Sequence, residues 1–169
     1  WFTQYLYYNK DLFEEAGITE FPKTWDEYAD AAKKLTKDGV YGTIIEAKQT
    51  GEPVTHLVDW IYQNGGSIID ADGNVTVNSE ENAEVFEFLL KMMYEDESVM
   101  PGSVGYDNAD ADNMFMQGKV AMVKAWPYLY AMAKDPEQST VYDKFGVAAQ
   151  PAGKEQHTAA WTWGFGISS

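Results

Sequence analysis

The stretch from Phe115 to Tyr130 constrains the fold most, because a helix end, a short buried strand and a second helix start follow one another there without a gap. Asn113 to Gln117 sets Met114, Phe115 and Met116 in helix-compatible surroundings, and Gly118 supplies the left-handed residue that closes a helix. Val120-Ala-Met-Val123 is an apolar run too short for a helix and long enough for a strand buried on both faces. Trp126-Pro127 then predicts a new helix start, since proline at the first helical position wastes no donor. This order puts a large flat aromatic, Trp126, at the carboxyl end of a strand and the mouth of a helix. In an open α/β sheet that is where ligands bind. Taken singly, Trp126 is as readily a core residue, because tryptophan is highly buried on average.

The same alternation runs through the chain. Phe2 to Tyr8 reads as a strand, and Asn9 caps a helix that Gly17 ends. Thr24-Trp-Asp-Glu27 is a capping box opening a helix through Tyr28, Ala31, Ala32 and Leu35. Val40 to Ile45 predicts a strand. Leu57, Trp60 and Ile61 mark one face of a helix closed at Asn64-Gly65. Ser67 to Ile69 and Asn74 to Val77 flank an Asp-Gly loop and predict a hairpin. Ser79 caps a long helix with an expected core stripe of Ala83, Phe86, Leu89, Leu90 and Met93. Glu95 to Asp112 reads as loop, and Phe145 to Ala149 and Trp161 to Ile167 as strands. The class is therefore α/β, a mixed sheet with helices on both faces, folded as a single lobe over 1–169.

A net charge of -15, from 27 acidic against 12 basic residues, excludes a nucleic-acid binder and disfavours anionic lipid. With no cysteine and two histidines, zinc-thiolate sites, disulfides and thiol chemistry are excluded. No Walker loop, dinucleotide fingerprint or nucleophile elbow occurs, so no cofactor and no metal is expected. Asp70-Ala-Asp-Gly73 is better read as a turn than as a calcium loop, and Asp107, Asp110 and Asp112 as acids favoured by a helix N-terminus. His56 and His157 read as surface or satisfied histidines rather than general bases. The aromatics Trp60, Trp126, Trp161, Trp163, Tyr128 and Tyr130 lie in segments able to converge on one sheet edge. Sugar rings have apolar faces and polar rims, so aromatics beside acids and amides suit a carbohydrate. Trp25 belongs to the core.

Taken in order, Tyr7-Tyr-Asn-Lys-Asp-Leu-Phe13, Pro22-Lys-Thr-Trp-Asp-Glu27, Asn64-Gly-Gly66, Phe115-Met-Gln-Gly-Lys-Val-Ala-Met122, Trp126-Pro127 and Pro151-Ala-Gly153 resemble the extracellular solute-binding proteins of family 1, the maltose-binding-protein-like sugar receptors of ABC importers. The resemblance covers nearly the whole chain. It implies a periplasmic-binding-protein-like (type II) lobe, most of the second of two, with 1–8 and 161–169 as hinge-crossing strands. It further implies a monomeric, non-enzymatic protein outside the cytoplasm, partnered by a sugar and by permease subunits of the transporter, with its signal sequence outside this stretch. Ligand-binding residues implied are Trp126, Trp163, Trp161, Trp60, Tyr128, Asp59 and Trp1. Ala160-Trp161 departs from the family's usual Gly-Gly. A lone lobe offers half a cleft, so millimolar affinity is the most expected of this stretch alone. The alternatives are a carbohydrate-active enzyme domain and an interaction module without a small ligand.

Overall fold

The computed structural model describes residues 2–167. Its centre is strand β1, Tyr5–Asn9, whose Leu6 and Tyr7 point to opposite faces of the sheet and are each 1% exposed. Strand β2, Met122–Ala125, and strand β3, Phe145–Ala148, flank it in a three-stranded antiparallel sheet of order β2-β1-β3. Tyr7 stands opposite Val123 on one side and Val147 on the other. Parallel single bridges at Tyr41–Val120 and Thr43–Val99 extend the pairing and make it mixed.

Helices cover both faces, as an α/β sheet buried on both sides requires. On the Leu6 face pack α2 (Trp25–Leu35), α3 (Glu52–Gln63) and α4 (Glu80–Tyr94), through Trp25, Tyr28, Leu35, Ile61, Val85 and Met92. Before them, α1 (Lys10–Glu15) carries Phe13 into the same core. On the Tyr7 face lie α5 (Asn108–Met116) and α6 (Leu129–Ala133), which contribute Phe115 and Leu129. The local signals act as expected at several ends. Asn9 accepts from the backbone of Asp11 and Leu12, Thr24 and Glu27 form the reciprocal box, and Gly118 takes φ 70° after α5.

Several expectations are corrected. Val40 to Ile45 forms isolated bridges rather than a strand. Gly42 presses against the Ala32 carbonyl of α2, where a Cβ would sit 2.0 Å from the oxygen, and its N–H is taken by the Thr36 hydroxyl. On α4 the fully buried residues are Asn82, Val85 and Met92; of the predicted stripe Leu89 and Met93 pack partly buried against the core, whereas Ala83 is exposed and Phe86 and Leu90 are about half exposed. Asn82 turns the helix, since its amide donates to the carbonyls of Ser67, Thr76 and Val77 and so buries that edge. The expected hairpin around Asp70 keeps one bridge, Ile69–Val75, with Asp70 Oδ1 accepting from the backbone of Asp72 and Asn74. Within the predicted loop from Glu95, a 3-10 turn forms at Ser103–Gly105 and α5 begins at Asn108, capped by an Asp107–Asp110 box. Helix α6 starts two residues after Pro127, which lies in the preceding turn. Trp161 makes one bridge, to Phe2, and 162–167 is irregular and exposed, with glycine at 164 and 166.

Candidate ligand-binding cleft

The end of β2 and the start of α3 shape the cleft. Strand β2 delivers Trp126, and the Tyr7 hydroxyl donates to its carbonyl at 3.2 Å, tying the platform to the central strand. Phe2 meets the Trp126 ring edge-on at 5.1 Å and lies nearly parallel to Trp163 at 6.5 Å. The Phe2–Trp161 bridge, with N–H···O distances of 2.9 and 2.8 Å, lays the two chain segments side by side. Together with Gly51, Glu52, Thr55, Asn108, Pro127, Tyr128 and Thr162 these residues line a cavity of about 760 Å³.

Four of the sequence-predicted site residues, Trp126, Tyr128, Trp161 and Trp163, are thus brought together. Trp60 is not. It is 8% exposed and packs on Trp25 and Phe88 at 5.2 and 5.8 Å in the core. Asp59 is fully buried, and its carboxylate is consumed by Lys124 Nζ at 2.9 Å, Gln150 Nε2 at 2.8 Å and the Ala159 N–H at 2.6 Å. Tyr130 packs on Phe145, away from the cleft. Trp1 lies outside the described residues.

The Asp59 network is structural. Gln150 Oε1 accepts a hydrogen bond from the Gln63 side-chain amide, which in turn accepts from the Trp25 indole at 2.9 Å and donates to the His157 carbonyl at 3.0 Å. Lys124 donates to the His56 carbonyl at 2.9 Å. Burial pulls its ammonium down to about 8, against the opposing pull of Asp59, so it stays charged at neutral pH. The whole set fastens residues 150–159 to α3 and β2, and so fixes where Trp161 emerges.

A second buried polar group, made of Glu46, His56, Asn108 and Asp112, adjoins the cleft and has few partners of its own; only Asn108 lines the aromatic cavity, while Glu46 and His56 line a separate pocket that Trp60 and Lys124 also border. Both Asp112 oxygens, Asn108 Oδ1, Glu46 Oε2 and His56 Nε2 are buried without a hydrogen bond. Desolvation and the charges of Asp112 and Glu52 push Glu46 up to about 8, and burial raises Asp112 to about 6. Burial, then Lys124, holds His56 well below its ordinary value. At neutral pH the His56–Glu46 contact of 3.6 Å therefore joins a neutral imidazole to a mostly protonated carboxyl. Asp112 faces the Tyr128 phenol without reaching hydrogen-bond geometry. Burial, and after it Asp112, raises the phenol above its ordinary value, so its proton is held.

Sequence reasoning missed this group. His56 is buried and unsatisfied at Nε2 rather than on the surface or satisfied, and its ring stands edge-on to Trp126 at 6.3 Å. A signal was present in Asp107-Asn-Ala-Asp110, an acidic version of the capping box. Read so, it starts α5 at Asn108 and puts Asn108 and Asp112, four residues apart, on one helix face.

A family model described as bacterial extracellular solute-binding protein matches residues 1–169. The chain belongs to that family. A relative from Deinococcus radiodurans named "Probable ABC transporter-binding protein" is 32% identical, over 99% of this chain and 41% of its own length. Among solved structures, maltose-bound MalE3 of T. maritima superposes with a TM-score of 0.86 at 30% identity, over 94% of this chain and 41% of the other. The ribitol complex of an ABC transporter solute-binding protein from Agrobacterium radiobacter K84 gives 0.82 at 33% identity, over 92% and 39%. The lobe is thus of the type II periplasmic-binding kind. The chain spans about two fifths of the length of these solute-binding relatives.

Proposed function

We propose that the chain is the sugar-capturing lobe of an ABC importer's solute-binding protein, holding a mono- or oligosaccharide or a polyol against Trp126 and passing it to the permease. The observation that carries this is the cleft. Trp126, Trp161 and Trp163 offer flat apolar faces beside the polar side chains of Glu52, Thr55, Asn108 and Tyr128, the pairing a sugar ring needs. Family membership and the sugar and polyol ligands of its neighbours support the same reading.

In this reading the segments 1–8 and 161–169 are the hinge crossings, and the Phe2–Trp161 bridge is where they run together. Closure over ligand derives its free energy from contacts made only when closed. The protein works as a monomer outside the cytoplasm and performs no catalysis. Glu46 and Asp112, the carboxyls with the most displaced proton affinities, are 6% and 1% exposed and do not line the aromatic cavity.

The test is tryptophan fluorescence of the polypeptide that carries this chain, titrated with maltose, ribitol, mannitol, tagatose and arabino-oligosaccharides, with chromatography of the sugars afterwards. Saturable quenching by one class without any hydrolysis is expected. A flat response to every sugar, or release of shorter sugars, would contradict the reading.

A further inference from the structure

The polar side chains on the cleft wall include the acceptor oxygens of Glu52, Asn108 and Tyr128. Asn108 lines the cavity and is 8% exposed, with Oδ1 free. Behind the wall the buried Asp112 carboxylate faces the Tyr128 phenol, which keeps its own proton and is about half exposed, so the phenol's lone pairs are open to the cavity. Glu52 adds a carboxylate to the wall. On the donor side stand the buried Trp161 Nε1–H and the start of α3, where Gly51 gives no side-chain cap. Glu52 occupies the first turn of that helix and balances its dipole.

Cations near the cleft are committed elsewhere. Lys124 is held by Asp59 at 2.9 Å and is 6% exposed. Lys48 is paired to Asp107 at 2.6 Å and faces Asp110 at 3.9 Å. The sequence contains no arginine. Among the described residues that line the cavity there is no lysine or histidine, so an anionic ligand would meet the Glu52 carboxylate with no basic side chain there to answer it.

We infer that this cleft discriminates by charge, accepting neutral or ammonium-bearing polyols and sugars and rejecting their carboxylated and phosphorylated counterparts, with Glu52 and Asn108 on the cavity wall as the residues that set the discrimination. This rests on the carbohydrate reading above.

The experiment uses matched probes on the polypeptide that carries this chain: mannitol against mannitol 1-phosphate, and glucose against glucuronate and glucosamine, by tryptophan fluorescence at low and high salt. In at least one matched set the neutral probe is expected to bind at least ~tenfold more tightly than its anion at low salt. The ratio should shrink as salt screens Glu52 and should shrink again in Glu52→Gln. Glucosamine should bind no worse than glucose. An anion that binds as tightly as its neutral partner would overturn the inference while leaving the carbohydrate reading intact. So would a ratio indifferent to both salt and Glu52→Gln, since the exclusion would then be steric. If no probe binds, neutral or charged, the carbohydrate reading fails and this inference goes with it.

Discussion

His56 joins two buried polar clusters that differ in one respect. Its carbonyl belongs to the cluster of Asp59, Lys124, Gln150 and Gln63, in which nearly every donor and acceptor is matched within the chain. Its ring belongs to the cluster of Glu46, Asn108 and Asp112, in which most polar atoms have no partner. Burial is equal, but satisfaction is not. A buried polar group left unpaired is unfavourable by roughly 1–3 kcal/mol, so a fold keeps such groups where something else requires them. The matched cluster holds segments together. The unmatched one adjoins Trp126 through the His56 ring, and its Asn108 reaches the cleft wall. Outside both, the Gln4 side chain is also unpartnered, and nothing in the structure explains it.

Removing one member of the matched cluster should have the largest effect. Asp59→Ala strands the Lys124 ammonium, and a loss of about 3–5 kcal/mol in denaturant unfolding is expected. Next comes Trp126→Ala, which should weaken sugar binding by ~1–3 kcal/mol while barely moving the unfolding midpoint. If stability falls instead of affinity, Trp126 is a core residue.

The unmatched cluster should show itself in pH dependence. Glu46 has its folded proton affinity raised to about 8 from 4.5, so between those values the folded state binds more protons than the unfolded one. Stability then falls as pH rises across that window and levels off above it, with a slope contribution of at most about 1.4 kcal/mol per pH unit. Glu46→Gln should flatten this slope, and an unchanged pH profile would show that the carboxyl is not held protonated. The smallest effect should come from outside both clusters. Thr24→Ala removes the hydroxyl of the α2 cap and should lower stability by ~1 kcal/mol, with ligand affinity unaffected.

Elements with their own local signals were legible in the sequence. Asn9, Thr24 and Ser79 cap helices, Gly118 ends one, and the apolar run Val120–Val123 is fully buried, with β2 itself placed two residues later at Met122–Ala125. What depended on a distant partner was hidden. The face that α4 buries is set by Asn82 reaching the hairpin backbone, and Val40 to Ile45 fails as a strand because Gly42 must pass the Ala32 carbonyl. In the cleft, Trp126 and Tyr128 follow one strand and could be grouped from sequence. The separation of Asp59 from Asp112 could not. Both are acids in helices, and only the partners of each decide which is spent on the fold.

The most direct measurement is a paired one on Asp112→Asn in the polypeptide that carries this chain: sugar affinity by fluorescence titration and stability by urea unfolding, both near pH 7. If the unmatched cluster serves the ligand, affinity should fall at least ~fivefold while stability holds or rises by about 1 kcal/mol, because an unpaired buried charge is gone. Unchanged affinity together with a loss of stability would contradict the account and place Asp112 with Asp59 among the groups that hold the fold.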